Sequence, residues 1–348
     1  MSGSVEAPLD MVADHGGSLT RAARLFPGAP QPWLDLSTGI NPHSYPFGKL
    51  PASAFARLPE DSRLNELVAA AARVYDAPSA AHVVAAPGTQ ILLPLVAALV
   101  AKGHAAVLSP IYAEHRRVAA LMGHETVETE HIEVLKRANL AILVNPNNPD
   151  GRVIERATLL DLAACMKAKG SLLIVDEAFM DVQANRESLA PYVEAGGVIV
   201  LRSFGKFFGL AGVRLGFAIG PVRLIDRLRA QLGPWAISGP ALEIGIAAFA
   251  DTVWQDAIRR KLKEESARLD AVLTQAGLEI AGGTSLYRFV RTPYAQSVFR
   301  SLGNAGILVR AFDSDHDALR FGIPGSDEDF ARLGSALSHW RNSKERDS

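Results

Sequence analysis

With 348 residues, 48% of them hydrophobic and 21% charged, the chain has room for two domains of about 150 residues each and has the composition of a globular protein rather than a disordered or fibrous one. A formal net charge of -1 supplies none of the cationic field that nucleic acid or an anionic membrane surface requires, so neither is expected as a partner. The single cysteine, Cys165, allows no internal disulfide and no thiolate set, so no metal is expected and the expected compartment is a reducing cytoplasm.

Residues 1 to 20 carry Asp10, Asp14 and glycines where a signal peptide would have an apolar run, and no stretch reaches about 18 uninterrupted apolar residues, so neither export nor spanning is expected. The middle of the chain alternates short apolar runs with longer helical stretches, the pattern of a mostly parallel sheet covered by helices, an α/β layout. Val83 to Ala86 leads into Pro87-Gly88-Thr89-Gln90, and Ile91 to Lys102 reads as a buried helix. Further runs, Ala105 to Leu108, Leu140 to Val144, Leu172 to Val175 and Val198 to Leu201, each stop at polar residues. The stretch Pro240 to Ala276 is helical, with a solvated charged face over Arg259 to Arg268. Strand-like Tyr287 to Val290, Ile307 to Val309 and Leu319 to Ile323 follow, and the polar tail after Trp340 is expected to fray.

Open α/β sheets bind ligands beyond the carboxyl ends of their strands, so the polar corners are the first candidates for a site. Gly88-Thr89-Gln90 opens a helix whose amides and positive end would cradle a phosphate, with Ser203 and Arg214 completing the cup. Tyr112 would lie against a ring face, or serve as a core aromatic. Asn148, in Asn145-Pro-Asn-Asn-Pro-Asp-Gly151, could donate to a phenolic oxygen, although these residues also satisfy turn chemistry. Asp176 could hold a pyridinium nitrogen protonated or cap a helix. Lys206, between small residues past a buried strand, would lose ammonium hydration and gain a nucleophilic amine; the alternative is a buried ion pair.

Together, Gly88-Thr89-Gln90, Tyr112, Asn148-Pro149-x-Gly151, Asp176-Glu-Ala and Ser203-x-x-Lys206 with Arg214 resemble the fold-type I aminotransferase family over nearly the whole chain. The resemblance implies an α/β fold with a mostly parallel central sheet, helices on both faces and a smaller α+β domain. It implies pyridoxal 5'-phosphate carried on Lys206, a large domain over residues 41–235, a small domain over 236–348 joined by an N-terminal arm of residues 1–40, and a homodimer.

Within that family the chain is similar to the L-threonine-O-3-phosphate decarboxylases of cobalamin biosynthesis. The residues that carry this are His15-Gly16-Gly17, Leu36-Ser-Thr-Gly-Ile-Asn41-Pro42, Asp176-Glu-Ala-Phe179, Gly233-Pro-Trp-Ala-Ile-Ser-Gly-Pro240, Gly282-Gly-Thr-Ser-Leu286 and Leu319-Arg-Phe-Gly322. The comparison implies a phosphorylated amino acid as substrate. Arg320 would fork its carboxylate, with a surface ion pair as the plainer alternative. His15, Gly16 and Gly17 would form a flap near its phosphate, with Arg310 assisting and Asn41 on the substrate side. Decarboxylation follows when the carboxylate stands perpendicular to the cofactor ring and transamination when the Cα hydrogen does, with Lys206 returning the proton.

Two residues depart from the wider family. Phe179 stands where most aminotransferases place a tyrosine, which leaves Asn148 as the main donor to the phenolic oxygen. Leu58 stands where relatives often have a tyrosine that reaches the partner subunit's cofactor, a role that Tyr45 could take. The competing readings are a histidinol-phosphate-type aminotransferase and a non-catalytic regulator or scaffold. Against the regulator, no basic helix-turn-helix module precedes residue 40.

Overall fold

The computed structural model describes residues 16–183 and 187–347. Its strands in chain order are β1 (Leu34–Leu36), β2 (Val83–Ala86), β3 (His104–Leu108), β4 (Glu125–Thr129), β5 (Leu140–Val144), β6 (Leu172–Asp176), β7 (Val198–Ser203), β8 (Gly216–Ile219), β9 (Glu279–Thr284), β10 (Tyr287–Arg291), β11 (Ile307–Phe312) and β12 (Asp315–Gly322). The larger sheet runs β2-β8-β7-β6-β5-β3-β4, and the smaller β1-β11-β12-β10-β9. In the larger sheet β3 to β7 are mutually parallel, while β8 runs antiparallel between β2 and β7. This is the expected α/β arrangement.

The sheet is buried on both faces because its strands carry apolar residues at consecutive positions. Val83 and Ala85 enter one apolar layer, with Leu143, Val175 and Val200; Val84 and Ala86 enter the other, with Ile142, Ile174 and Ile199. The alternation follows from the two-residue period of a strand. Strand β4 was not anticipated: Glu-Thr-Val-Glu-Thr lacks an apolar run, and only an edge position with mostly exposed side chains accepts it.

Several boundaries move. The helix expected to reach Lys102 spans Thr89–Ala97 and turns at Ala98. The stretch from Pro240 is two helices, Gly239–Ala250 and Thr252–Gln275, parted at Asp251, whose carboxylate accepts the Trp254 N–H at 2.9 Å. Ala241, Leu242 and Phe249 pack in the large core, and the long helix starts there with Ile258 and Leu262 and ends in the small core with Leu269 and Leu273. The charged face over Arg259 to Arg268 pairs locally, Arg259 with Asp256 and Lys261 with Glu265. The tail does not fray at Trp340. A helix spans Asp327–Asp347 and buries Phe330, Leu333, Leu337 and Trp340 against the small sheet. Among the described residues no helix is long and apolar enough to cross a membrane.

Candidate active site

Strand register assembles the cup. Gly216 on β8 faces Ala86 on one side and Ser203 on the other, so the turn after β2 and the end of β7 lie within two strand spacings, about 10 Å. A Cβ on Gly216 would lie 2.5 Å from the Thr89 nitrogen, and one on Gly88 would lie 2.6 Å from Arg214 Nη2. Glycine at both positions therefore leaves the helix start bare and lets the guanidinium lie across it. Gly88 caps the helix Thr89–Ala97 with φ 85°, and Arg214 is itself left-handed at φ 55°, a strain of about 1–3 kcal/mol that surrounding structure must hold. A phosphate here would meet backbone amides, a helix dipole and a guanidinium.

Asp176 ends β6. One carboxylate oxygen, Oδ2, lies 2.9 Å from Nε2 of the buried His115, and the other accepts the Ala178 N–H at 3.0 Å. This is a turn at a strand end, not a helix cap, with the carboxylate orientation set by a histidine that the sequence reading missed. His115 lies three residues beyond Tyr112, one helical turn along, and their rings meet edge to face at 5.9 Å. Gln90 is held on the same side: its amide donates to the buried Glu114 at 2.6 Å and accepts the Tyr112 hydroxyl at 3.4 Å. Glu114 in turn takes both nitrogens of Arg117. Burial, with Glu114 and Asp176 nearby, pushes the Tyr112 phenol up to about 12.

Lys206 lies in the short helix Phe204–Phe207, directly after β7. Burial, reinforced by the Arg320 and Arg214 charges and only partly offset by Asp176, pulls its ammonium down from 10.5 to about 8. Its Nζ stands 5.6 Å from the centre of the Phe179 ring. The turn is braced from behind by Asn41, whose backbone N–H donates to the Lys206 carbonyl at 3.0 Å and whose amide donates to the Phe207 carbonyl at 2.8 Å. Asn41 is only 2% exposed, and its bonds to main chain support the lysine turn.

Arg320, on β12, enters from the small sheet. Its guanidinium donates to Asn148 Oδ1 at 2.5 Å and to the Ser37 carbonyl at 3.1 Å, while its Nε is buried without a partner. Among the described residues no carboxylate lies within ion-pair distance of it. Burial and the neighbouring Arg310 lower its pKa to about 10. Arg310 on β11 is its cross-strand partner. Gly17 donates to the Ser37 hydroxyl at 2.7 Å, and a Cβ on Gly16 would meet the Ser37 carbonyl at 2.4 Å. The glycine segment thus rests on the residue that holds Arg320; His15 lies outside the described residues. Tyr287, also missed, donates to the Asn147 carbonyl at 2.5 Å.

The structure thus brings Gly88, Thr89, Ser203 and Arg214 together around the cup, ties Gln90 to Tyr112, and joins Arg320 to Asn148. Tyr45 does not join them: its ring packs edge-on against Phe208 and Trp254 and its hydroxyl bonds the Ala247 carbonyl. Among the described residues no group of three His, Cys, Asp or Glu side chains could hold a metal. A lysine with lowered pKa, a fixed carboxylate and an anion cup on one sheet edge can bind an aromatic aldehyde phosphate and activate an amine against it.

The chain belongs to the aminotransferase class I and II family, whose model matches residues 53–337. Among relatives, it is 40% identical to a threonine-phosphate decarboxylase of Pseudomonas aeruginosa over 93% of this chain and 97% of that one. It is 41% identical to a threonine-phosphate decarboxylase of a Sinorhizobium species, with the same coverage of 93% and 97%. Among solved structures, a histidinol-phosphate aminotransferase from Sinorhizobium meliloti in complex with pyridoxal-5'-phosphate superposes with a TM-score of 0.80. That match covers 98% of this chain and 99% of the other at 20% identity, a likeness of fold.

Proposed function

We propose that this protein decarboxylates L-threonine O-3-phosphate with pyridoxal 5'-phosphate, giving (R)-1-amino-2-propanol O-2-phosphate for cobalamin synthesis. The observation that carries the reading is the likeness to threonine-phosphate decarboxylases along almost the full length of the chain.

The residues fit the cofactor. The cradle of Gly88, Thr89 and Arg214, which a Cβ at residue 88 or 216 would fill, suits its phosphate, with Ser203 beside it. Asp176, held by His115, suits the pyridine nitrogen, and Asn148 the phenolic oxygen. Bound there, the cofactor supplies an electron sink for the bond broken at Cα.

This chain's own groups do the rest. Arg320, buried and without a carboxylate partner among the described residues, grips the substrate carboxylate and fixes its angle to the ring. Arg310, at the next strand and near Arg21, gives the phosphate end a cationic surrounding, with Gly16 and Gly17 close by. Lys206, whose ammonium burial pulls down to about 8, is the group that exchanges a proton with Cα.

In this reading the enzyme is a cytoplasmic homodimer. Phe55, Leu58 and Trp235 are exposed apolar side chains, which a second copy would cover in this reading. The test is to incubate the purified holoprotein with O-phosphothreonine and no keto acid. Carbon dioxide release is expected, reduced at least about a thousandfold by Lys206→Ala. Amino transfer to 2-oxoglutarate without carbon dioxide would overturn the reading in favour of an aminotransferase.

A further inference from the structure

Tyr287 opens β10 in the small sheet, yet its ring packs in the core of the large one and is wholly buried. Three contacts radiate from it. Its hydroxyl donates to the Asn147 carbonyl, which also accepts the Gly151 N–H at 2.8 Å. The Arg320 guanidinium lies 5.0 Å over its ring. Phe179, whose other neighbour is Lys206 Nζ, meets it edge-on at 5.0 Å.

Glycines let the two backbones close around this ring. A Cβ on Gly282 would lie 2.0 Å from the Asp150 carbonyl oxygen, and one on Gly151 would lie 2.2 Å from the Gly283 carbonyl oxygen. A Cβ on Gly39 would strike Phe179 and Tyr287 at 2.9 Å. The Gly282-Gly283 pair, given no role by the chemistry above, is therefore where β9 presses on the turn that presents Asn148. Burial raises the Tyr287 phenol well above its ordinary range, so it remains a hydrogen-bond donor at every pH at which the enzyme works.

We propose that Tyr287 is a positioning residue: with Gly282 and Gly283 it clasps the small sheet to the Asn147–Gly151 turn and so fixes Arg320 and Asn148 relative to Lys206. The physical reason is adjacency. Asn148 follows the carbonyl that the phenol holds, and Asn148 Oδ1 accepts from the guanidinium that lies on the phenol's ring. A tyrosine that merely filled the core would touch neither end of that pair. The proposal deepens the functional reading and rests on it for the role of Arg320.

Tyr287→Phe keeps the ring and removes the donor. In the holoenzyme its affinity for O-phosphothreonine, followed by cofactor absorbance, should fall about threefold to tenfold, the worth of one hydrogen bond. Affinity for 1-amino-2-propanol phosphate, which lacks the carboxylate, should stay within about twofold, and the pH midpoint of the cofactor absorbance should shift. Gly282→Ala pushes the same turn from its other side and should reproduce the selective loss. Equal weakening of both ligands, or wild-type affinities and midpoint in either folded variant, overturns the proposal even if thermal stability drops. The midpoint does not depend on the identity of the substrate. A shifted midpoint in a protein that releases no carbon dioxide from O-phosphothreonine would therefore sink the functional reading and leave the clasp standing.

Discussion

Arg202 and Arg320 are both buried, and they are held in opposite ways. Arg202, at the end of β7, donates to Glu177 at 2.8 Å and Asp181 at 2.6 Å and stacks on Tyr75 at 4.4 Å. Those carboxylates raise its pKa despite burial. Arg320, on the small sheet, among the described residues donates only to neutral oxygens and has Arg310 nearby, and its pKa falls. One cation has two carboxylates within the fold, and the other, among the described residues, has none. The difference separates scaffold from site: a protein keeps a buried cation uncompensated only where a ligand is to compensate it.

Exchanging each arginine for methionine is the most direct way to break this comparison. Arg202→Met leaves Glu177 and Asp181 without their cation and should cost about 3–5 kcal/mol in urea unfolding. Arg320→Met removes an uncompensated charge, so its stability loss should be much smaller. Its KM for O-phosphothreonine should rise about tenfold to a hundredfold, since hydrogen bonds between charged groups contribute about 1.5–3 kcal/mol. The comparison fails if Arg320→Met is the more destabilised of the two, or if it binds substrate as the wild type does.

Lys206 sharpens the same contrast through pH. In the unfolded chain it titrates at the ordinary 10.5 and in the fold at about 8. Between those values the unfolded state carries the extra proton, so the stability of the apoprotein should rise with pH from about 8 to about 10.5, and the cost of burying the ammonium is fully present below about 8. Lys206→Met should remove that slope, a difference on the order of 1–3 kcal/mol across the window. Urea midpoints of both proteins at pH 7.5 and pH 10 check it; parallel midpoints would mean that the lysine is solvated like any surface residue.

The scaffold and the strand-end chemistry were legible in the sequence for one reason: a buried parallel strand is a short apolar run, and its ligand-facing end is the polar residue that stops it. That logic located Asp176, Ser203 and Gly88 without knowledge of strand order. It could not locate His115, whose approach to Asp176 depends on helix phase 61 residues away. Nor could it assign Tyr287, since a strand of the small sheet gives no sign that its first side chain will pack in the large core. The terminal helix was legible and went unassigned: Phe330, Leu333, Leu337 and Trp340 recur at helical spacing amid the polar residues. The helix Thr252–Gln275 serves two cores, a feature that composition does not mark.

Asn41 is the finest division between the two regions, because the segment that carries it was expected on the substrate side and the fold puts its side chain behind the lysine. Its amide meets the Phe207 carbonyl, 166 positions away in sequence, and its own oxygen accepts the His43 N–H at 2.9 Å. Asn41→Ala should therefore act as a scaffold change, costing about 1 kcal/mol of stability through the unpaired carbonyl, with KM for O-phosphothreonine moving less than about threefold. Both quantities come from one set of purified variants, by urea unfolding and by initial rates. A large rise in KM with unchanged stability would return Asn41 to the substrate side and move the line between compensated scaffold and open site to the far face of the Lys206 turn.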